Sequence, residues 1–269
     1  MDVFFKKYDY ETTKQWLVDH ESFLLKSVAA YVVTIFSIKF LMRNRRPFDL
    51  QGPLIIWNAI LAIFSILGFI FVTPVFLNVI RTKGLQYTYT HISEIQKDSV
   101  CGYWTFLWIA SKVPEFLDTI FIVLRKKPLM FMHWYHHALT GWFAFVTFYE
   151  DNAYMVWVMW LNYFIHSFMY SYYGARAMHF HVPPQCAQIL TAAQIVQFLI
   201  THLVMGHVLY LTSVSAAPLA VTSRGFAIGA FMELTYLLLW FRFYYISYIS
   251  GGGKKYLAAE QQKKTTKAE

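Results

Sequence analysis

The stretch from Pro53 to Ile80 contains no charged residue, and this feature restricts the fold more than any other part of the sequence. A helix needs roughly 20 apolar residues to cross the hydrocarbon core of a bilayer, and this stretch is longer than that. Charged residues make up only 14% of the chain, whereas soluble domains contain about 25%. The sequence therefore predicts a polytopic helical membrane protein.

Seven apolar runs are separated by turn signals, and each run is predicted to form one transmembrane helix. The runs cover residues 28–42, 53–80, 100–124, 128–149, 153–173, 187–211 and 226–249. We therefore expect an all-α fold in which residues 28–249 form a single seven-helix membrane domain. An N-terminal lumenal segment, residues 1–27, precedes this domain, and a flexible basic cytosolic tail, residues 250–269, follows it.

Lysine and arginine are unevenly distributed between the two sides that the seven spans define. The richer side holds the clusters at 43–46 and 125–127, Arg176 and the lysines of the tail, and the other side includes Glu150 and Asp151. Cytosolic loops carry the excess of positive charge in membrane proteins, so the N-terminus is predicted to be lumenal and the C-terminus cytosolic. The same rule accounts for the net charge of +8, and no nucleic-acid-binding pattern is present. The tail is predicted to be a retrieval signal or a solvated segment at an anionic membrane surface.

Polar and ionisable side chains recur inside four of the predicted spans, where burial in lipid would make each of them costly. The third span contains KVPEFLDT, the fourth HWYHH, the fifth NYFIHSFMYSYY and the sixth TAAQIVQ. Spacings of three and four residues place the polar members of each motif on one face of its helix. Each motif is therefore a candidate for a functional site. The isolated Glu233 of the seventh span is instead predicted to pair with another helix.

The polar residues of these motifs are expected at similar depths in the membrane. Counted from the cytosolic helix ends at 1.5 Å of rise per residue, they lie about 8 to 18 Å deep. The residues so placed are Lys112, Glu115, Asp118, His133, His137, His166 and Gln194. Four separate helices thus bring polar groups to one level, and we predict a single polar pocket that opens toward the cytosol.

The three imidazoles of HWYHH, at positions i, i+3 and i+4 of one helix, are compatible with two kinds of catalysis. Such a spacing can present ligands to iron or zinc, as the histidine boxes of membrane desaturases and hydroxylases do. A neutral imidazole can also attack a thioester and form an acyl-imidazole, which a dry membrane cavity would protect from hydrolysis. The remaining histidines are scattered, so the metal interpretation is incomplete and the nucleophilic one fits better. A non-enzymatic seven-helix transporter or receptor is a third interpretation, although a receptor would not need such a pocket.

In this order, the four motifs resemble the signature motifs of the ELO family of very-long-chain fatty acid elongases. The similarity covers roughly residues 45–250. The segments LQGPLIIWNAILAIFSILG and DTIFIVLRKKPLMFMHWYHH look most like the subgroup that extends saturated and monounsaturated acyl-CoAs. The resemblance implies a 3-oxoacyl-CoA synthase of the endoplasmic reticulum membrane, which condenses a long-chain acyl-CoA with malonyl-CoA and releases CO₂ and CoA.

The resemblance also implies an architecture and a set of partners. Six of the seven helices would enclose a narrow acyl tunnel, and the substrates would be coenzyme A thioesters, with no metal and no other cofactor. The lipid bilayer, and the reductases and the dehydratase of the elongation cycle, are the implied partners. Whether the chain forms a homo-oligomer is left open.

Two histidines receive the central roles by this resemblance. His136, the second histidine of the box, would accept the acyl group, and His166 of the next helix would assist. His133 and His137 are expected to orient the cluster, and Asn162 to donate a hydrogen bond to a developing oxyanion. A single-step condensation, with a histidine acting only as a base, would use the same residues.

The other predicted site residues support these groups or contact the substrates. Glu115 and Asp118 are expected to hold Lys112 and the histidines in register. The residues predicted to contact the coenzyme A thioesters are Lys112, Arg125, Lys127, Tyr172, Thr191, Gln194 and Gln197.

Overall fold

Helices make up most of the protein that the computed structural model describes, which is residues 2–4, 7–214 and 218–250. In chain order they are α1 (Tyr10–Leu41), α2 (Gln51–Lys83), α3 (Tyr87–Thr90), α4 (Glu94–Lys97), α5 (Cys101–Ser111), α6 (Phe116–Leu124), α7 (Phe131–Tyr149), α8 (Met155–Ala177), α9 (Pro184–Val214) and α10 (Ser223–Tyr244). A 3-10 turn, Asp2–Phe4, and a π-helical turn, Tyr245–Ile249, flank them. These residues include no β-strand, so the predicted all-α class is confirmed. The predicted tail, from residue 251 onward, lies outside the described residues.

Within the described residues, four helices are long and apolar enough to cross a membrane, which supports a multi-pass membrane protein. They are α1, α2, α9 and the helix that runs from Ser223 to Ile249. The most apolar of them is α2, with a mean hydropathy of 2.6. Large aliphatic side chains cover its outer face, where Ile56, Ile63 and Ile70 are each more than half exposed. Such a surface suits contact with lipid and would be unfavourable in water.

The first helix begins much earlier than residue 28, where the sequence prediction starts it. Asp9 has an extended backbone and accepts a hydrogen bond from the backbone N–H of Thr12 at 2.8 Å. Such an N-cap satisfies one of the free N–H groups of the first helical turn. The polar residues from Tyr10 onward therefore continue the apolar helix as one element.

The predicted third span, 100–124, is not one continuous helix, because a turn at Lys112–Glu115 separates α5 from α6. Pro114 has no backbone N–H, and its ring disfavours a helical residue before it. Irregular backbone at membrane depth is tolerated where it is buried in protein or lines a cavity. The turn agrees with this rule, because the side chains of Lys112 and Glu115 are both buried.

The second and eighth helices approach closely at a glycine. A Cβ atom added to Gly68 of α2 would lie 2.3 Å from the ring of Tyr163 of α8. The Tyr163 hydroxyl donates to the backbone oxygen of Trp104 in α5 at 2.9 Å, so three helices meet here. Small residues at helix contacts allow such close packing in membrane proteins.

Replacing Gly68 with alanine is expected to lower the free energy of unfolding by about 1–3 kcal/mol, because Tyr163 and one helix must shift. The matched control is Gly206→Ala in α9, where an added Cβ meets nothing within 4 Å. That change should leave stability equal or slightly raised, since alanine is the better helix former. The thermal unfolding midpoints of both variants in detergent test this. Equal midpoints would show that the approach of α2 and α8 is not tight.

Polar contacts join the helices at the end of the bundle remote from HWYHH. Arg224 at the start of α10 pairs with Glu21 of α1 at 2.7 Å and with Glu150 at the end of α7 at 2.9 Å. Within the bundle, the hydroxyl of Thr201 in α9 donates to the buried carboxylate of Glu233 in α10. Glu233 thus bridges two helices, as the sequence predicts. These contacts fix the helices at one end and leave the HWYHH end for the polar site.

Candidate active site

A buried ion pair lies at the turn between α5 and α6. The Nζ atom of Lys112 is 2.7 Å from Oε1 of Glu115, and their side chains are only 3% and 4% exposed. The hydroxyl of Ser111 donates to the same carboxylate oxygen at 2.7 Å. The ammonium group also lies 4.9 Å from the ring centre of Trp108. Because a buried ion pair is weak support for stability, its retention in a membrane domain indicates a functional role.

Asn162 and His166 face this ion pair from α8. They are four residues apart, which places them on one helix face. The Oδ1 atom of Asn162 accepts a hydrogen bond from the indole N–H of Trp108 at 2.8 Å and lies 3.5 Å from Nζ of Lys112. The Nδ2 atom of Asn162 is 3.0 Å from Nε2 of His166. The third and fifth predicted spans therefore converge in one hydrogen-bonded group.

Asp118 connects α6 to α2, α7 and α8. Its carboxylate accepts hydrogen bonds from the indole N–H of Trp57 in α2 and from the hydroxyl of Tyr170 in α8, the latter at 2.9 Å. It also lies 3.8 Å from Nε2 of His137 in α7. Asp118 thus lies beside His137, one of the histidines that it is predicted to hold in register. Trp57 was not predicted, because its indole N–H needs a partner in the membrane as those of the other tryptophans do, and the chain has nine of them.

The three histidines of HWYHH have different surroundings. The ring of His137 lies 4.6 Å from that of His133 and 5.4 Å from that of His136. The Nε2 atom of His133 is fully enclosed and has no hydrogen-bond partner among the described residues. Neither ring nitrogen of His136 has a hydrogen-bond partner among the described residues, and neither is fully enclosed by protein. His136 is half-buried, whereas His137 is buried, so a substrate can approach the ring nitrogens of His136.

Two aromatic residues of α10 hold His136 in place, and neither was predicted. The ring centres of Tyr236 and Trp240 lie 4.9 and 5.5 Å from that of His136. The carbonyl oxygen of His136 accepts hydrogen bonds from the hydroxyls of Tyr236 and Thr140, at 2.9 and 2.8 Å. His136 and His166 are also within electrostatic range of each other and of Lys112. The histidine cluster therefore adjoins the buried ion pair.

The predicted residues of α9 contribute unequally. Gln194 accepts a hydrogen bond from the indole N–H of Trp240 at 3.0 Å, and it reaches His136 only through that ring. Thr191 bonds to the backbone of Ala187 at 2.9 Å and lies 3.3 Å from the hydroxyl of Tyr248. Among the described residues, Thr191 and Gln197 make no hydrogen bond with the histidine cluster. Gln197 is buried in the bundle.

The remaining predicted substrate contacts lie toward the helix ends. Arg125 follows the last residue of α6 and is half-buried, and Lys127 is exposed in the connection to α7. The half-buried Tyr172 lies near the end of α8, with its ring 5.6 Å from that of Tyr173. Arg125 and Lys127 directly precede the helix that carries HWYHH, so they border the site from the side on which that helix begins.

The histidines are arranged around separate partners and do not converge on a common point. No group of three or more His, Cys, Asp and Glu side chains in the described part of the chain is placed to hold a metal ion. His137 is directed to Asp118, His166 to Asn162, and His136 to the aromatic rings of α10. These side chains do not form the ligand set that a metal-dependent desaturase or hydroxylase requires.

Comparisons with known proteins agree with the motifs. The model of the ELO (GNS1/SUR4) family matches residues 16–256. Long chain fatty acid elongase 1 of Caenorhabditis elegans is 42% identical over 251 residues, which are 93% of this chain and 87% of that protein. Very long chain fatty acid elongase 6 of Drosophila melanogaster is 36% identical over 247 residues, 91% of this chain and 78% of that protein. The human very long chain fatty acid elongase 6 is 32% identical over 268 residues, 99% and 96% of the two chains.

Proposed function

The chain belongs to the ELO family and acts in fatty acid elongation, and on that premise we propose that it is the 3-oxoacyl-CoA synthase of the elongation cycle. A long-chain acyl-CoA condenses with malonyl-CoA to give a 3-oxoacyl-CoA that is two carbons longer, together with CO₂ and CoA. The observation that supports this reaction is the accessible imidazole of His136 beside the buried group of Lys112, Asn162 and His166. Family membership does not favour the metal-dependent desaturase or hydroxylase.

Seven membrane spans are part of the same proposal. In addition to the four apolar helices, α5 and α6 together would form one span, and α7 and α8 would form one span each. The 19 residues of α7 and the 23 residues of α8 correspond to roughly 28 and 35 Å of helix. Their lower hydropathy is explained by the site residues that they carry. Six of the helices would enclose the acyl tunnel, with the N-terminus in the lumen of the endoplasmic reticulum and the C-terminus in the cytosol.

The first half of the reaction transfers the acyl group to His136. A neutral ring nitrogen bonds to the thioester carbonyl carbon, the carbon–sulfur bond breaks, and CoA leaves as a thiolate. The proton on the other ring nitrogen then passes to that thiolate. The ammonium group of Lys112, buried and electrostatically coupled to His136, stabilises the negative charge that develops on the carbonyl oxygen and on sulfur.

The second half forms the new carbon–carbon bond. Malonyl-CoA loses CO₂, and the electron pair of the broken bond remains as an enolate on its thioester. The enolate carbon bonds to the acyl carbon, and the acyl–nitrogen bond breaks with its electron pair on His136. The resulting imidazolate takes up from solvent the one proton that the overall reaction consumes, and neutral His136 is regenerated. His166 adjoins this centre and stabilises the oxyanion. A buried site favours both halves, because water would hydrolyse the acyl-imidazole.

Substrate binding would use the basic end of the site. Arg125 and Lys127 would contact the phosphates of coenzyme A, for which guanidinium and ammonium groups are the usual partners. Tyr172, Thr191 and Gln197 would contact the rest of the coenzyme A arm, and the acyl chain would occupy the apolar tunnel. The 3-oxo product must then be reduced, dehydrated and reduced again, so reductases and a dehydratase would act next.

Purified protein is expected to release labelled CO₂ from carboxyl-labelled malonyl-CoA only when a long-chain acyl-CoA is present. Mass spectrometry should show one 3-oxoacyl-CoA for each CO₂. A desaturase would instead return the acyl chain with two hydrogens fewer and would leave malonyl-CoA unused. Folded protein that gives no acyl-dependent CO₂ with any long-chain acyl-CoA would overturn the proposed reaction.

A further inference from the structure

The side-chain amide of Asn162 has an orientation that its neighbours determine. Its Oδ1 atom is 2.8 Å from the indole nitrogen of Trp108 and 3.5 Å from Nζ of Lys112. An indole N–H and an ammonium group can only donate hydrogen bonds, so the amide oxygen must face them. The amide nitrogen must then face His166. The oxygen and nitrogen of an asparagine are assigned in this way from the hydrogen-bond network.

This orientation determines which nitrogen of His166 carries the proton. The Nδ2 atom of Asn162 is 3.0 Å from Nε2 of His166, and an amide NH₂ group only donates. The Nε2 atom must accept, so a neutral His166 carries its proton on Nδ1. In the opposite tautomer two buried donors would face each other, and both would lack an acceptor. The Nδ1 atom has no hydrogen-bond partner in the described residues and is not fully enclosed by protein.

We propose that Trp108, acting through Asn162, holds His166 in the Nδ1–H tautomer, so that His166 enters the reaction as a hydrogen-bond donor. The role in catalysis rests on the proposed condensation, whereas the tautomer itself does not. Trp108 acts on His166 only through Asn162 in this proposal and is a positioning residue. His166 would donate from Nδ1 to the thioester oxygen of the substrate, where negative charge develops when the enolate forms. His166 would not accept the first proton as a base, because the only ring nitrogen that could accept it, Nε2, already accepts a hydrogen bond from Asn162.

The tautomer can be observed directly in protein labelled with ¹⁵N-histidine. Two-bond proton–nitrogen correlations show which ring nitrogen is protonated, and His166→Gln identifies the signal of His166. The wild-type protein without substrate is expected to show the Nδ1–H pattern. Trp108→Phe removes the indole donor, keeps an aromatic ring, and should give a mixture of the two tautomers. Its kcat should fall by about tenfold, as expected for one lost hydrogen bond, with little change in KM.

Asn162→Asp provides a stronger change at nearly constant shape. A carboxylate only accepts hydrogen bonds, so it should move the proton of His166 to Nε2 and lower kcat by about 10²-fold. The control is Trp104→Phe, one helical turn before Trp108. Trp104 packs against Phe64 and Phe71 and makes no hydrogen bond to the site in the described structure. This control should keep both the wild-type tautomer and the wild-type kcat.

Two results would overturn the proposal. The first is an Nε2–H pattern for His166 in the wild-type protein, which is informative even if a variant fails to fold. The second is a Trp108→Phe protein with the wild-type tautomer, whether or not its kcat falls, because Trp108 would then act only through packing. Failure of the proposed condensation is a separate outcome, in which the Nδ1–H pattern is present but no CO₂ is released.

Discussion

Replacing His136 with glutamine is expected to lower kcat for condensation by about 10³-fold or more, because the proposed acyl acceptor is lost. The protein should still fold. The hydroxyls of Tyr236 and Thr140 bond to the carbonyl oxygen of His136, so the substitution leaves both hydrogen bonds in place. Acyl-dependent release of CO₂ measures kcat, and the thermal unfolding midpoint confirms the fold.

The matched control is His202→Gln in α9. His202 bonds through Nδ1 to the carbonyl oxygen of Phe198 at 2.7 Å and contacts none of the site residues through a hydrogen bond in the described structure. Its kcat should stay near the wild-type value. Loss of activity in both variants would mean that the assay reports general damage and not the removal of a nucleophile.

Incubation of the enzyme with acyl-CoA alone should separate the two forms of the mechanism. The covalent form predicts release of one CoA per chain and a mass increase equal to the acyl group, located on the peptide that contains His136. His136→Gln should show neither. Normal turnover without any adduct would contradict the covalent form and favour a single-step condensation in which a histidine acts as a base. An adduct that persists in His136→Gln would place the nucleophile elsewhere.

Much of the fold follows from patterns that the sequence shows openly. The length and the apolar composition of the charge-free stretch in α2 are enough to predict a membrane helix. Each of the other predicted spans also contains helix in the structure. The turn at Lys112–Glu115 was not predicted, because the apolar residues on both sides of Pro114 read as one continuous span. The early start of α1 was missed for a related reason. Its first turns are polar, and only the cap at Asp9 shows that the helix includes them.

The candidate site was predictable where polar residues are rare and unpredictable where aromatic residues are common. A lysine, an asparagine or a histidine inside a span stands out, and in the structure Lys112, Asn162 and His166 lie in one hydrogen-bonded group. Aromatic residues make up 20% of the chain, so nothing in the sequence marks Trp108 or Tyr236. Their importance depends on which atoms the indole N–H and the phenol hydroxyl reach, and only three-dimensional packing determines this.

Removing one member of the buried ion pair is expected to have the largest effect on stability. Glu115→Gln leaves the ammonium of Lys112 buried without a counter-charge, which costs about 3–5 kcal/mol. Lys112→Met leaves the carboxylate of Glu115 in the same position and should cost a similar amount. In a chain of this size the thermal unfolding midpoint should fall by about 10 °C for either variant. The control is Glu94→Gln, which breaks an ion pair with Lys83 whose side chains are 53% and 36% exposed, and it should change the midpoint little.

The double variant Lys112→Met/Glu115→Leu separates the stability of this region from its function. Replacing both members of a buried ion pair by apolar residues of similar size is often neutral or stabilising, so the midpoint should return toward the wild-type value. Comparing the stability of the double variant with those of the two single variants then gives the interaction energy between Lys112 and Glu115. The double variant should nevertheless not catalyse condensation, because it lacks the positive charge near His136 and His166 that stabilises the developing oxyanion. A stable double variant that condenses acyl-CoA at the wild-type rate would mean that Lys112 serves assembly alone. A stable but inactive one would explain why a membrane domain keeps an ion pair that its folding does not need.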